Sequence, residues 1–505
     1  MNIKILDTTL RDGEQTSGVS FSETEKVTIA RLLLEELKVD RLEIASARVS
    51  KGEFQGSQKI LEWARDNGFI EQIEILGFVD GTSSLEWIKK SGGKVINLLC
   101  KGSLKHCQQQ LKKSPVQHLE DINHVLTNAD QYGITVNVYL EDWSNGMRNS
   151  PEYVYQMIED LGQKVNRVML PDTLGILNHQ ETFEFCKDMR TRFAEVNFDY
   201  HAHNDYDLAT ANVFSAISAG IDTIHTTLNG LGERAGNVPL SSVIGIVRDH
   251  FNYELNIDEE RLYPVSKMVE SFSGVRIPAN KPLIGEFVFT QTSGIHADGD
   301  HKDNLYFNDL KPERFGRKRE YALGKMSGKA NIRKNLEALG IELVEEDLKK
   351  VTAEIIELGD KKETVTKEDL PYIIADVLKN EEVDQRIKIK NYSLSVAQGL
   401  KSVATLSVEI DGSEYEHTAS GDGQYDAFMN ALWAIYQRLD KQYPKLLDYS
   451  VRIPPGGKTD ALVETTITWD NGSQFKTRGL DSDQTIAAIK ATTKMLNIIE
   501  NGQKQ

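Results

Sequence analysis

Eight short apolar runs, each ending in polar residues, recur through the first half of the chain: 3–8, 41–46, 73–79, 95–100, 135–141, 167–173, 198–203 and 223–229. Between them lie stretches such as 23–37, 151–161 and 182–193, with apolar residues three and four apart, the spacing of an amphipathic helix. Pro151 opens one of these, where its missing N–H leaves nothing unsatisfied. Eight strands alternating with eight helices over about 250 residues match the count and size of a (β/α)8 TIM barrel. A doubly wound open sheet is the competing architecture, but it seldom needs eight such units. The pattern therefore predicts an α/β barrel over residues 1–255, with its chemistry at the C-terminal ends of the strands.

Past residue 255 the alternation stops. Residues 256–385 read mostly as helices and loops, closing on a charged stretch, Lys379-Asn-Glu-Glu-Val-Asp-Gln-Arg386, that reads as a linker. Residues 386–505 hold two similar units. Alternating runs at 403–410 and 415–419 lead into a helix at 427–439, and runs at 462–469 and 475–478 lead into a helix at 486–499. A repeat of roughly 60 residues predicts a small α/β module with internal two-fold symmetry. Such a module is suited to binding a regulator between its halves or to joining two chains.

Charge narrows the choice of partners. Against 59 Lys and Arg stand 76 Asp and Glu, a net −17 over 505 residues. A surface that acidic repels phosphate backbones and anionic lipid, so neither nucleic acid nor a membrane is an expected partner. The three cysteines, Cys100, Cys107 and Cys186, have no metal-like spacing and argue for a reducing compartment. The chain opens directly on a strand, leaving no room for a signal peptide, and no apolar run approaches the roughly 18 residues of a membrane span. A cytoplasmic location is expected.

The chemistry concentrates at the strand ends: Asp7 with Arg11 and Asp12, Glu43, Glu141, Asp172 with Thr173, His201 with His203, and Asn229. In Phe198-Asp-Tyr-His-Ala-His-Asn-Asp205, His201 and His203 stand two apart on a strand and project the same way. With Asp12 they offer two nitrogens and one oxygen from the seventh and first strands, which only one strand separates in a closed barrel. Three protein ligands with open positions describe a catalytic metal site. The mixed set suits Mn, Zn, Mg or Co. The loop Gly230-Leu-Gly-Glu-Arg-Ala-Gly-Asn237 misses the dinucleotide-binding spacing. It reads either as a weak phosphate loop or as a rim turn that delivers Asn237.

Together Asp7-Thr-Thr-Leu-Arg-Asp-Gly-Glu-Gln15, Lys26, His201-Ala-His-Asn-Asp205 and Gly232-Glu-Arg-Ala-Gly-Asn237 resemble the 2-isopropylmalate, homocitrate and citramalate synthases. Ala45-Ser-Ala-Arg-Val-Ser-Lys-Gly52, Val138-Tyr-Leu-Glu-Asp-Trp-Ser-Asn-Gly146 and His296-Ala-Asp-Gly-Asp300 resemble the citramalate branch. One departure is Asp207, where the family commonly has glycine. The resemblance implies a metal-dependent barrel, manganese favoured, that condenses acetyl-CoA with a small 2-oxo acid. It implies Asp12, His201, His203 and Asn237 as ligands and Arg11 beside the developing alkoxide. Thr173 is implied on the substrate carboxylate and Glu141 as the base. Leu76, Leu99 and Tyr139 would line the side-chain pocket. From residues 256–385, His296 and Tyr306 would polarise the thioester, with Asp298 and Asn304 positioning that histidine and the adenosine-bearing substrate. The C-terminal module (386–505) would sense isoleucine and make a homodimer. Two leucines and a tyrosine leave room for a methyl group and no partner for a second carboxylate, which favours pyruvate. A 2-isopropylmalate synthase and a catalytically silent metal-binding sensor are the alternatives. The basic cluster Arg314, Arg317, Lys318 and Arg319 reads as a solvated charge run.

Overall fold

In a computed structural model, which describes residues 2–300, 305–306, 308–360, 365–378, 386–452 and 463–502, the eight apolar runs close into a parallel barrel. The staves are β1 (Lys4–Asp7), β2 (Arg41–Ser46), β3 (Ile73–Phe78), β4 (Val95–Lys101), β5 (Thr135–Glu141), β6 (Arg167–Asp172), β7 (Phe198–Ala202) and β8 (Thr223–Thr226). Strand β8 pairs with β1, Lys4 opposite Thr223 and Asp7 opposite Thr226, which shuts the cylinder. Helices begin where the sequence supplies caps. Ser114 caps Pro115–Tyr132, with Gln117 bonding back to the cap, and Asn178 with Glu181 does the same for His179–Arg192. The apolar strand faces pack outward against these helices, and the core runs past residue 255 to include Leu262, Val265 and Val269.

The inward faces divide into two layers. An upper ring joins Leu6, Leu76, Tyr139 and Met169, with Leu99 half-buried against them. Register puts Leu99 beside Tyr139 and Tyr139 beside Met169. Beneath lies a polar floor. Arg41 on β2 binds Asp199 on β7, Arg167 on β6 bonds Thr223 on β8 at 2.7 Å, and Asn97 on β4 bonds Glu43 on β2 at 2.7 Å. Each of these bonds joins staves that are not neighbours, so it spans the barrel interior. Pairing in this detail is what makes buried charge tolerable.

His118, on the helix Pro115–Tyr132, is buried and accepts the Lys101 backbone N–H on Nε2 at 3.1 Å. Burial pushes its pKa down to about 4 from the usual 6.5. Between those values the unfolded chain takes up a proton that the folded chain refuses, so stability present above about pH 6.5 is lost as pH falls toward 4. The urea midpoint of the barrel should therefore fall between pH 7 and 5, and His118→Gln should flatten that fall. An unchanged pH slope in the variant would remove His118 from the account.

Contacts divide the chain into two units, residues 1–289 with 307–319, and residues 290–306 with 320–505. In the second, the short strands β9 (Thr290–Gln291) and β10 (Glu320–Tyr321) pair, and helices Lys329–Ala338, Glu345–Asp360 and Leu370–Leu378 surround a core on Ile332, Leu348 and Ile355. Two antiparallel sheets follow. The first orders β11 (Ile387–Ser395), β12 (Ser402–Ile410) and β13 (Ser413–Gly421). The second orders β14 (Lys445–Arg452), β15 (Val463–Asp470) and β16 (Gln474–Asp481). Helices Gln424–Arg438 and Gln484–Gly502 complete the repeat and share one core with both sheets. Most of the predicted linker, 379–385, lies outside the described residues. Among the described residues no helix is long and apolar enough to cross a membrane.

Candidate active site

The turn after β1 is wound tightly, with the N–H groups of Arg11, Asp12 and Gly13 all reaching the Thr8 carbonyl at 2.8–3.1 Å. Thr9 pins it to the next stave, accepting the Leu228 N–H on Oγ1 at 2.8 Å. This holds Asp12 over the end of β7. Its Oδ2 lies 3.1 Å from His201 Nε2 and 3.7 Å from His203 Nε2. All three residues are buried, and their ligating atoms lie within 4.8 Å of one another. His203 is bridged through its backbone to Asn237, whose Nδ2 donates to Leu231 O at 3.3 Å. Asn237 Oδ1, Asp12 Oδ1 and the Nδ1 atoms of both histidines are buried without hydrogen-bond partners. Orphaned buried polar atoms are costly unless something else answers them. This donor set fits a divalent cation.

Electrostatics prepare the same set. Burial opposes a charge on Asp12, but the Arg11 guanidinium and the two imidazoles hold its carboxyl well below the usual range. Burial pushes His201 and His203 down to about 4, so both rings are neutral near pH 7, the form that can bind a metal ion.

The predicted loop after β8 folds back upon itself. At Gly232, φ is +154° and a Cβ would meet Asn237 Nδ2 at 2.5 Å; at Gly236, φ is +82° and a Cβ would strike Gly230 O at 2.0 Å. The glycines thus let the loop wrap Asn237. Arg234 ties neighbouring rims together, donating to both Asp205 oxygens at 2.7 and 2.9 Å and to Thr173 O at 2.8 Å. Asp207, the departure from the family's glycine, adopts φ +58°, which aspartate tolerates, and accepts from Asn204 at 3.1 Å.

Arg11 lies beside Asp12. It donates from Nε to Glu43 Oε2 at 2.5 Å and from Nη2 to the Tyr139 oxygen at 3.3 Å. The structure brings Leu76, Leu99 and Tyr139 into the apolar ring and adds Leu6 and Met169, which the sequence reading missed. Tyr139 and His201 are T-shaped neighbours, ring centroids 6.0 Å apart. Glu141 ends β5 opposite Lys101 on β4 and is ion-paired with it. Thr173, half-buried after β6, accepts the Asp142 N–H on Oγ1 at 2.9 Å.

Other strand-end groups serve the backbone. Asp172 accepts the Ile176 and Leu177 N–H groups at 3.0 Å, and Asn229, at φ +59°, donates to Ser266 O at 2.9 Å. Nor are all four basic residues a solvated run. Arg314 is paired with Glu259 and Asp249, and Arg317 donates to Gly285 O at 2.6 Å and lies over the Tyr263 ring at 4.3 Å.

His296, Asp298 and Tyr306 belong to the second unit. His296 and Asp298 are exposed on the helix Gly294–Asp300. Tyr306 lies across Gly299, where a Cβ would meet its ring at 2.5 Å, and its centroid is 4.3 Å from that of His296. Asn304 lies outside the described residues. The sequence reading also gave no role to Glu43, Asn97, Lys101 or His225, although each is a polar residue at an inward strand position. A carboxylate or imidazole in phase with inward apolar neighbours was the available signal.

Comparison with known proteins matches three family profiles along the chain. They are HMGL-like over residues 2–269, homocitrate synthase post-HMGL domain-like over 283–363, and the LeuA allosteric (dimerisation) domain over 364–500. The chain is 32% identical to an (R)-citramalate synthase of Methanocaldococcus jannaschii, covering 99% of this chain and 100% of the relative. It is also 32% identical to a 2-isopropylmalate synthase of Pyrococcus furiosus, covering 98% and 99% respectively. With a barrel of the HMGL-like kind and relatives matched from end to end, this chain belongs to the 2-isopropylmalate/citramalate synthase family.

Proposed function

We propose that the protein condenses acetyl-CoA with pyruvate in a Claisen-type reaction and hydrolyses the thioester, yielding (R)-citramalate and CoA on a pyruvate route to isoleucine in the cytoplasm. The observation that carries this reading is the apolar ring of Leu76, Leu99, Tyr139 and Met169 in the barrel that also holds the Asp12–His201–His203 group. A methyl group fits such a ring. A second carboxylate would be buried there without a partner.

Asp12, His201, His203 and Asn237 would hold a divalent cation, Mn2+ in our reading, which supplies Lewis-acid polarisation of the keto carbonyl. Arg11 adds positive charge where the alkoxide develops, and Thr173 bonds the pyruvate carboxylate with its hydroxyl hydrogen. Glu141 takes a proton from the acetyl methyl group, and the resulting carbanion bonds to the keto carbon. His296 and Tyr306 polarise the thioester carbonyl, with the family resemblance assigning Asp298 and Asn304 to positioning that histidine and the CoA substrate; water then releases the CoA thiol. The chain works as a homodimer through the region matched by the dimerisation profile, with isoleucine as the effector of that region.

A panel of 2-oxo acids assayed by acetyl-CoA-dependent thiol release tests this reading. The kcat/KM for pyruvate should exceed that for 2-oxoisovalerate by at least about tenfold, the scale of extra methyl groups in a tight apolar pocket. Comparable values, or a preference for the larger acid, would assign the protein to 2-isopropylmalate synthesis, as in its Pyrococcus furiosus relative. Bound metal with no turnover on any acid would leave the sensor.

A further inference from the structure

Every nitrogen of the Arg11 guanidinium is engaged. Nε donates to Glu43 at 2.5 Å, Nη1 meets Asp12 Oδ2 at 3.2 Å, and Nη2 reaches the Tyr139 oxygen at 3.3 Å. Arginine has donors and no acceptor, so the phenol oxygen accepts in that last contact and its own hydrogen points elsewhere. The acceptor within reach is His225 Nδ1, 2.9 Å away and fully buried on β8. Across the same ring, His225 Nε2 lies 3.1 Å from Asp199 Oδ2. Asp199 is gripped by the guanidiniums of Arg41 and Arg167, the latter at 2.6 Å, and as a carboxylate it can only accept. Nε2 therefore carries the ring hydrogen, and Nδ1 is left bare for the tyrosine.

We propose that His225, oriented by Asp199, is a positioning residue that draws the Tyr139 hydroxyl hydrogen down into the barrel and leaves the phenol oxygen as an acceptor for Arg11. With the ring hydrogen on the other nitrogen, Nδ1–H would donate to the phenol oxygen. The tyrosine hydrogen would then turn toward the N–H groups of Arg11, donor against donor. The polar floor thus sets the hydrogen-bonding sense of the one phenol in the apolar ring, and through it the seat of Arg11. This inference rests on the role given to Arg11 in the proposed reaction. Tyr139 then offers no hydrogen to a substrate side chain, which is why a second carboxylate in the ring would be left without a partner.

Two measurements on the full chain test the proposal. The first is nitrogen NMR of histidine-labelled, magnesium-loaded protein at pH 7, which needs no substrate. It should show a histidine with Nε2 protonated and Nδ1 bare, whose Nδ1 resonance moves on Tyr139→Phe and whose signals vanish in His225→Phe. A protonated Nδ1, or a ring indifferent to Tyr139→Phe, overturns the proposal even if His225→Phe fails to fold. The second is a double-mutant cycle on kcat with pyruvate. His225→Phe should lower kcat about tenfold in the wild-type background and less than about twofold in the Tyr139→Phe background, because one acts through the other. Effects that multiply would make His225 a merely structural residue and overturn the proposal. If wild-type protein turns over no 2-oxo acid, the reading of the reaction fails, and the NMR result still decides the direction of the hydrogen bond.

Discussion

Replacing His201 with alanine is expected to strip the protein of its divalent metal and abolish acetyl-CoA-dependent thiol release. The ring sits 3.1 Å from Asp12 in the one group of His, Cys, Asp and Glu among the described residues that is arranged to hold a metal ion. Its loss should weaken metal affinity by more than about a hundredfold, since changes to mere outer-shell partners already cost 10–100-fold. A thermal readout separates this from misfolding. At about a hundredfold excess over Kd, a ligand bound only by the folded chain adds about 2.7 kcal/mol. For a barrel of this size that is several degrees in Tm. Wild-type protein should show that rise on adding Mn2+, and His201→Ala should not. A variant that keeps one tightly bound ion per chain would show that the ligands lie elsewhere.

Glu141→Gln is expected to lower kcat by about 10²–10⁴, the range for removing a positioned base. Metal content and the KM for pyruvate should be unchanged. The side chain stands at the C-terminal end of β5, next in register to Lys101 and paired with its ammonium. Lys101 is itself held, its N–H by His118 and its carbonyl by the Tyr153 hydroxyl at 2.9 Å. The pair therefore has a rigid side and a working side. Glutamine keeps the shape and one acceptor for Lys101 while losing the ability to take a proton. Loss of metal in this variant would make Glu141 a ligand, and an unchanged kcat would place the base elsewhere.

Much of this architecture is written plainly in the residues. Strands β2 and β5 span the predicted 41–46 and 135–141, because a stave packed on both faces reads as a nearly unbroken apolar run. The first strand of each C-terminal sheet, β11 and β14, was not anticipated. Each carries a register shift, between Ile389 and Asn391 and between Leu446 and Asp448, and a bulge puts the alternation out of phase halfway along. The helix predicted from 182 begins at His179, three residues earlier, although Asn178 and Glu181 spell a capping box. At the site, the meeting of Asp12, His201 and His203 was legible because a His-x-His strand and an Arg-Asp turn each carry local meaning. The polar floor was not. Arg41, Glu43, Asn97 and Asp199 are scattered over three strands, and only the closing of the cylinder lets Arg41 on β2 bond Asp199 on β7.

The layering of the barrel interior also bears on how such an enzyme can change its diet. Leu76, Leu99 and Met169 bring no hydrogen-bond donor to the ring, so a library randomised at these positions can trade one acyl side chain for another by volume. One storey lower, Arg41, Glu74, Arg167 and Asp199 are committed to one another, beside and across the bore, and losing one strands a charge at a cost of about 3–5 kcal/mol. Variation would be tolerated in the ring and purged from the floor. New substrates should therefore arise by resizing the upper storey while the charged foundation stays fixed.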